Sequence, residues 1–256
     1  MQRKQDEWNF QWNIFYDHSS FLFKEWISPN TLVSFTGKTV LDCGCGAGQH
    51  ISFVAPYAKN VTGVDLNTSE IAKKNNAKFS NVRFVEADIA SMNLRKKFDI
   101  VYSIGVIHHT DDPDKTFKNI KAHVKKGGKL IIWVYAWEGN FLNRTMLEFL
   151  KRIFILKLNK KILLGMSYVI TTLLYIPIYT IYLLPLRFLP FYQYFQNWRK
   201  LSFTWNNANV FDKLNAPQTH FIKEQTARKW FNSKEFKSVH IAHYKGVSWR
   251  ASGTKK

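Results

Sequence analysis

The chain has 256 residues, of which 46% are hydrophobic and 16% aromatic, so it can bury a sizeable core and is not intrinsically disordered. Its net charge of +19 is uneven: residues 1–135 carry 18 Lys and Arg against 13 Asp and Glu, whereas residues 136–256 carry 19 against 5. The basic second half is compatible with an anionic partner, either nucleic acid or a membrane surface.

The N-terminus and the cysteine content indicate a cytoplasmic protein. The first ten residues, MQRKQDEWNF, contain no apolar signal-peptide segment, so we do not expect secretion. Cys43 and Cys45 are one residue apart, which does not suit a disulfide, and no second Cys/His pair offers zinc spacing. We therefore expect a reducing compartment and no metal.

In the first half, predicted strands alternate with predicted helices. A helix over 67–79 is expected to begin with a capping box of Asn67 and Glu70, and a helix over 112–126 to stop at Gly127 and Gly128. The alternation predicts a parallel α/β sheet, which binds ligands at the carboxyl ends of its strands. The predicted strands are 39–43, 60–66, 81–88, 98–109 and 129–136.

The second half breaks this pattern with a long apolar and aromatic stretch. After it, 221–233 predicts a helix, and 238–253 predicts an antiparallel hairpin that turns at Lys245 and Gly246. Four units are predicted: an N-terminal helical segment at 1–36, a nucleotide-binding core at 37–136, an insertion at 137–216, and a final helix and hairpin at 217–256 that complete the core.

The stretch VLDCGCGAGQH, at 40–50, is the most informative of the chain. A dinucleotide fingerprint would need a small residue where Gln49 stands, and the Gly-Lys-Ser/Thr of a P-loop is absent. Asp42, at the end of the first strand, suits a cationic group such as the amino group of a methionine moiety. Asp65, 21 residues after Gly44, can accept hydrogen bonds from ribose hydroxyls, and Asp88 can accept one from an adenine amino group.

Together with GVDL, VEADI and FDIVYSIGVIHHTDDP in the same order, this stretch resembles the class I S-adenosylmethionine-dependent methyltransferases of type 11/12 over about residues 35–136. The resemblance implies a Rossmann-like, mostly parallel seven-stranded sheet with a C-terminal antiparallel hairpin and, here, a helical insertion after the fifth strand. It implies S-adenosylmethionine as cofactor, with Asp65 on the ribose, Asp88 and Ile89 near the adenine, and Ser103 and Ile104 near the sulfonium. The cofactor-binding residues expected in all are Asp42, Gly44, Cys45, Gly46, Gly48, Asp65, Leu66, Asp88, Ile89, Ser103 and Ile104.

Methyl transfer to a hydroxyl needs a base, and histidine suits that role because its pKa lies near neutrality. His108 and His109, expected at the end of the fourth strand, are the candidates. The segments FDKLNAPQTHF, ARKWF and SWRASG resemble a bacterial subgroup of small-molecule or glycan methyltransferases, and His220, Trp249 and Arg250 within them are candidate substrate-binding residues.

Residues 162–186 of the insertion contain no charge, a length that could cross a membrane once. A single crossing would separate the two parts of the sheet, two crossings need more apolar residues, and Pro177 and Pro185 interrupt the stretch. Two interpretations remain: a helical lid over the site, or an element that lies in the interface of an anionic membrane through residues 146–200. Either favours an apolar or lipid-linked acceptor.

Three functions are therefore compared. The leading one is methylation of a small molecule, a glycan or a lipid-linked substrate. Where the acceptor group is a hydroxyl, its oxygen would be methylated. A nucleic-acid methyltransferase would suit the charge, but SIGVIHH stands where adenine enzymes carry Asn/Asp-Pro-Pro-aromatic and cytosine enzymes a cysteine. The third is a cofactor-binding, membrane-associated protein without catalysis. The sequence does not indicate an oligomeric state.

Overall fold

A computed structural model describes residues 2–15 and 19–256, and its centre is a seven-stranded sheet in the order β3-β2-β1-β4-β5-β7-β6. The first five strands are parallel, whereas β7 is antiparallel to both β5 and β6. This confirms the predicted seven-stranded, mostly parallel sheet. The strands are β1 Thr39–Cys43, β2 Asn60–Asp65, β3 Val82–Glu86, β4 Phe98–Ile104, β5 Val124–Tyr135, β6 Phe236–Tyr244 and β7 Ser248–Lys255.

Helices cover both faces of the sheet and fill the insertion. The helices are α1 Gln2–Ile14, α2 Ser20–Ile27, α3 Gln49–Val54, α4 Ser69–Asn75, α5 Pro113–Ala122, α6 Glu148–Ile153, α7 Lys160–Ile178, α8 Tyr192–Trp198, α9 Phe203–Asn215 and α10 Glu224–Trp230. Because the strands of a parallel sheet are buried on both sides, β1 alternates between two apolar clusters: Leu41 lies in one and Val40 in the other.

Two predicted helix boundaries are wrong. Helix α4 begins at Ser69 after Thr68, and Glu70 pairs with Lys73 at 2.7 Å instead of closing a capping box. Helix α5 ends at Ala122, so both glycines lie inside β5 rather than at a helix end. The reason for glycine is steric: a β-carbon on Gly128 would lie 3.0 Å from a backbone oxygen of β4, where the pairing of the two strands is irregular.

The C-terminal hairpin closes as predicted. Lys245 and Gly246 have φ values of 52° and 72°, a left-handed conformation, and the Val247 N–H closes the turn by donating to Tyr244 O at 3.2 Å. Its second strand, β7, then pairs with β5 along Lys129–Tyr135, so the chain returns to the sheet after the insertion.

The insertion forms a third apolar cluster in which α7 packs along α9. Phe15, just after α1, belongs to this cluster, whereas Phe23 and Ile27 of α2 pack against the sheet. The predicted N-terminal segment 1–36 therefore does not pack as one unit. Among the described residues, one helix, Lys160–Ile178, is long and apolar enough to cross a membrane by length and composition.

Candidate cofactor and acceptor site

The glycine loop after β1 adopts a backbone conformation that other residues rarely reach. Gly44, Gly46 and Gly48 have φ values of 84°, 51° and 81°. A β-carbon on Gly44 would lie 2.5 Å from the side chain of Val106, so the loop approaches the segment after β4 more closely than any other residue would permit.

Asp65, the last residue of β2, holds this loop. Its carboxylate accepts hydrogen bonds at 2.8 Å from the backbone N–H groups of Gly46 and Leu66. Burial raises the pKa of Asp65, and the two backbone N–H groups partly offset that effect. The acid and the glycine loop therefore form one preorganised unit at the carboxyl edge of the sheet.

A cavity of about 380 Å³ opens beside this unit. Asp88 lies at its rim, where its carboxylate accepts a hydrogen bond from Ala90 N at 2.8 Å and closes the turn after β3. The expected cofactor residues that line the cavity are Gly44, Cys45, Asp65, Leu66, Asp88, Ile89 and Ile104.

Other expected residues lie behind the cavity wall. Asp42 is 1% exposed and sits opposite Tyr102 in the β1–β4 pairing, and burial raises its pKa to about 8. The predicted contact of Asp42 with a cationic ligand is therefore corrected. The Ser103 hydroxyl donates to Cys43 O at 2.8 Å and is fully buried, so it joins β4 to β1. Gly46 and Gly48 shape the loop from outside the cavity lining.

Helix α1 covers the loop, a role that the sequence analysis missed. A β-carbon on Gly46 would lie 2.8 Å from the Trp12 indole, and the Trp8 ring centroid is 5.1 Å from that of His109. Trp8, Trp12 and Phe15 all line the cavity. Their spacing of four and three residues in EWNFQWNIF was the signal, since it places three aromatic rings on one face of a helix.

The two adjacent histidines have different surroundings. His108 and His109 lie on a short 3₁₀ turn, Ile107–His109, because β4 already ends at Ile104. His108 is fully buried, and its ring nitrogens have no hydrogen-bond partner among the described residues; burial lowers its pKa well below the usual value. The prediction of His108 as a base is therefore corrected to a packing role.

His109 lines the cavity and is held in a defined orientation. Its Nδ1 lies 3.0 Å from Gln218 O, an acceptor, so that nitrogen carries the proton and Nε2 has a free lone pair. Nε2 is 4.0 Å from Asp212 Oδ2. Burial lowers the pKa of His109, and the charge of Asp212 and the carbonyl of Gln218 partly offset this.

Asp212, on α9, is itself held by two donors. It accepts a hydrogen bond from Gln11 Nε2 at 3.0 Å and one from the Tyr135 hydroxyl at 3.3 Å. Asp212 lies in the segment FDKLNAPQTHF, in which His220 was the predicted substrate-binding residue. The acid was the stronger signal, because no other acid occurs between Glu148 and Glu224.

A second, smaller cavity of about 60 Å³ adjoins the first. Lys213 lies in its wall and donates to the Tyr194 hydroxyl at 2.9 Å. The accessible surface of the cavity is mostly apolar, and Phe191 and Trp198 of the insertion are among its aromatic side chains. The residues common to both cavities are Trp26, His109, Trp133, Tyr135 and Asn209.

The three candidate substrate-binding residues lie outside both cavities, which corrects their prediction. His220 is exposed, and its backbone N–H donates to His108 O at 2.7 Å. The Trp249 indole is buried and donates to Glu138 at 3.1 Å. The Arg250 guanidinium donates to Glu25 O at 2.8 Å. All three connect elements of the framework around the hairpin.

Comparison with known proteins identifies the fold and its cofactor. Residues 41–132 match the family model described as a methyltransferase domain. Together with the seven-stranded sheet, this match shows a class I S-adenosylmethionine-dependent methyltransferase domain at residues 41–132. S-adenosylmethionine is the cofactor of this family, and the glycine loop, with Asp65 beside a cavity of about 380 Å³, fits a nucleoside carrying an amino-acid side chain. Among the described residues, no group of three His, Cys, Asp or Glu could hold a metal.

Two kinds of relative align with part of this chain. A ubiquinone biosynthesis O-methyltransferase of Coxiella burnetii is 36% identical over 38% of this chain and 44% of its own length. A tRNA U34 carboxymethyltransferase of Alteromonas mediterranea is 27% identical over 49% of this chain and 43% of its own length. The chain thus spans less than half the length of these relatives.

A solved O-methyltransferase family protein from Burkholderia thailandensis shares the fold. The match has a TM-score of 0.53 at 12% identity and covers 93% of this chain and 56% of that one. At this identity the likeness extends to the fold alone, so the acceptor must be argued from the site itself.

Proposed function

We propose that this methyltransferase methylates an oxygen of a small apolar or lipid-linked acceptor, with His109 as the general base. The observation that carries the proposal is the meeting of the two cavities at His109. The larger cavity is lined by the glycine loop and Asp65, the accessible surface of the smaller one is mostly apolar, and His109 and Tyr135 line both.

The larger cavity supports a cofactor pose in which the chain supplies orientation. Asp65 would accept hydrogen bonds from the ribose, Asp88 and Ile89 would border the adenine, and Ile104 would lie near the sulfonium. When bound, S-adenosylmethionine supplies an electrophilic methyl group. The protein must then hold the acceptor oxygen close to that group and in line with it.

His109 is suited to take the proton of the acceptor hydroxyl. Gln218 O fixes the tautomer, so the unprotonated Nε2 is the nitrogen directed toward Asp212. Because burial lowers the pKa of His109, the ring is neutral at pH 7 and able to accept a proton. The Asp212 carboxylate, 4.0 Å away, stabilises the imidazolium that results.

The walls of the smaller cavity favour an aromatic or aliphatic acceptor with a polar group. Trp26, Trp133 and Tyr194 supply apolar area, and Lys213 and Asn197 supply hydrogen-bonding groups. A glycan would have most of its hydroxyls facing apolar surface. The rival nucleic-acid function would use the positive charge, but it leaves this mostly apolar cavity without a role. We place the protein in the cytoplasm, with access to the inner face of the membrane.

The proposal is tested by metabolite profiling of a deletion strain grown with methionine that carries a deuterated methyl group. We expect at least one apolar metabolite to lose its labelled methyl group and to regain it with the wild-type gene. Asp65→Ala and His109→Gln should not restore the label, whereas His240→Gln, on the edge strand β6 and outside both cavities, should restore it. Loss of label from modified nucleosides alone would contradict the proposal.

A further inference from the structure

The insertion exposes an unusual amount of apolar surface. Of the 24 large hydrophobic side chains that are exposed in the described part of the chain, 17 lie within residues 141–188. Isolated exposed hydrophobic residues are ordinary, but a concentration of this kind marks a surface that contacts a partner or a membrane. We call this surface, formed by 141–154, α7 and 181–188, the outer face.

Helix α7 exposes an apolar stripe, and its buried residues include two hydroxyl side chains beside Leu163 and Ile178. The stripe that faces outward contains Val169, Leu173 and Ile176, which are 60%, 58% and 64% exposed. The opposite stripe contains Ser167 and Thr171, which are fully buried, and Thr171 donates to Asn207 of α9 at 3.1 Å. In water the apolar stripe of a surface helix faces the core.

Helix α6 also buries a polar side chain and exposes apolar ones. Lys151 is fully buried and paired with Glu148 at 2.7 Å, whereas Phe149 and Ile153 are 61% and 53% exposed. Phe188, farther along the chain, is 81% exposed. Three separate segments thus present hydrocarbon outward, so a local packing irregularity does not account for the pattern.

The charges around the outer face select one kind of occupant. Arg152, Lys157, Lys161 and Arg187 are exposed within it, and the sequence contains no acid between Glu148 and Asp212. We propose that the outer face docks on the surface of an anionic lipid bilayer, with its apolar side chains at the level of the headgroups and acyl chains and its cations beside lipid phosphates.

The contacts of α7 indicate that it lies along the membrane surface and does not cross it. Its buried stripe is fixed to α9, which also carries Asp212 beside His109. After α9 the chain returns to the sheet that holds the cofactor loop. Both ends of the insertion must therefore stay on the same side of the bilayer.

Docking would also bring the acceptor to the site, a consequence that rests on the proposed function. Leu147 and Glu148 line the smaller cavity, whereas their neighbours Met146 and Phe149 belong to the outer face. One helical turn therefore separates the acceptor cavity from the bilayer. An amphiphilic acceptor would pass directly from the bilayer surface into the smaller cavity and reach His109.

The test is vesicle flotation of the full chain. The protein should float with vesicles of phosphatidylcholine and phosphatidylglycerol, and at least about tenfold less with phosphatidylcholine alone. Leu173→Asn combined with Ile176→Asn should weaken binding by about tenfold or more. Arg152→Gln and Lys161→Gln should each weaken it about fivefold at low salt. The matched control, Val33→Asn with Val239→Asn, removes exposed apolar residues elsewhere and should float like the wild type.

Two results would overturn the proposal. One is wild-type protein that stays at the bottom of the gradient with both vesicles. The other is a wild-type dimer in light scattering that Leu173→Asn with Ile176→Asn converts to monomer, which would make the outer face a contact between copies. Binding of S-adenosylmethionine by each variant checks that it is folded. Because flotation requires no catalysis, its failure is distinguishable from failure of the proposed function.

Discussion

The sheet and the insertion differ in the side chains that they leave exposed. In the sheet, apolar residues fill both faces, and polar residues collect at the carboxyl edge, where Asp65 holds the glycine loop. In the insertion, Ser167, Thr171 and Lys151 are buried, whereas Phe149, Leu173 and Phe188 are exposed. The proposed docking on a lipid bilayer would account for this difference, because it would cover the apolar side chains that the insertion exposes.

The largest expected effect concerns the residue that joins the two regions. His109→Gln should lower the rate of methyl transfer by about 10²–10⁴, the usual contribution of a general base, and leave cofactor affinity within about twofold. The rate is measured as formation of S-adenosylhomocysteine with the acceptor identified by profiling. Equal loss of rate in His240→Gln would contradict a specific role for His109.

The pH dependence gives an independent check on the same residue. Because the pKa of His109 is lowered from 6.5, the reactive neutral form persists to lower pH than for a free histidine. The rate should therefore be level from pH 7 to 8 and decline only on the acid side of pH 6.5. An acid limb centred above pH 7 would contradict this environment.

The next effect separates the two regions. Asp65→Ala should weaken S-adenosylmethionine binding by about 100-fold or more, because two or more hydrogen bonds to a carboxylate are lost. Vesicle flotation of the same variant should be unchanged. The outer-face variant Leu173→Asn with Ile176→Asn should give the reverse pair of results. A variant that lost both properties would show that the regions do not act independently.

A smaller effect on cofactor affinity is expected at helix α1, which covers the glycine loop. Trp12→Ala should weaken cofactor binding by about tenfold, because it removes an indole that packs on Gly46 and lines the cavity. Trp137→Ala, a tryptophan outside both cavities, is the control in the same titration. Unchanged affinity in Trp12→Ala would mean that α1 does not cover bound cofactor.

The smallest effect tests the corrected position of Asp42. Burial raises its folded-state pKa to about 8 from 3.8, so the folded protein keeps a proton that the unfolded chain loses. Stability therefore falls as pH rises between these values. Asp42→Asn should bind cofactor normally, and its gain in Tm over wild type should be about 5 °C larger at pH 8 than at pH 5. A pH-independent difference in Tm would contradict the buried state of Asp42.

The sequence predicted the sheet well because its signals are local. Apolar runs that end in glycine or acid indicated β1, β2 and β3, and the Lys245 and Gly246 turn indicated the final hairpin. The capping box failed because Thr68, not Asn67, precedes α4. The strand ends, the hairpin turn and the start of α4 are each determined by interactions between residues that are close in sequence.

The candidate site was only partly predictable, because its second half depends on distant contacts. The position of Asp65 can be predicted from the spacing of the strands. Whether Asp42 faces the ligand depends on how β1 pairs with β4, because Tyr102 of β4 lies beside Asp42. The pairing of His109 with Asp212 requires knowing that the insertion folds back over the sheet. The hydrophobic content of the insertion indicates a lid or a membrane element. It does not show that several of its polar side chains are buried.

The most direct test of the central claim is calorimetric titration of the wild-type chain with S-adenosylmethionine. We expect saturable binding to one site, lost in Asp65→Ala and retained in Leu173→Asn with Ile176→Asn. Absence of binding by the wild-type chain would contradict the assignment of the cavity, and with it the proposed methyl transfer.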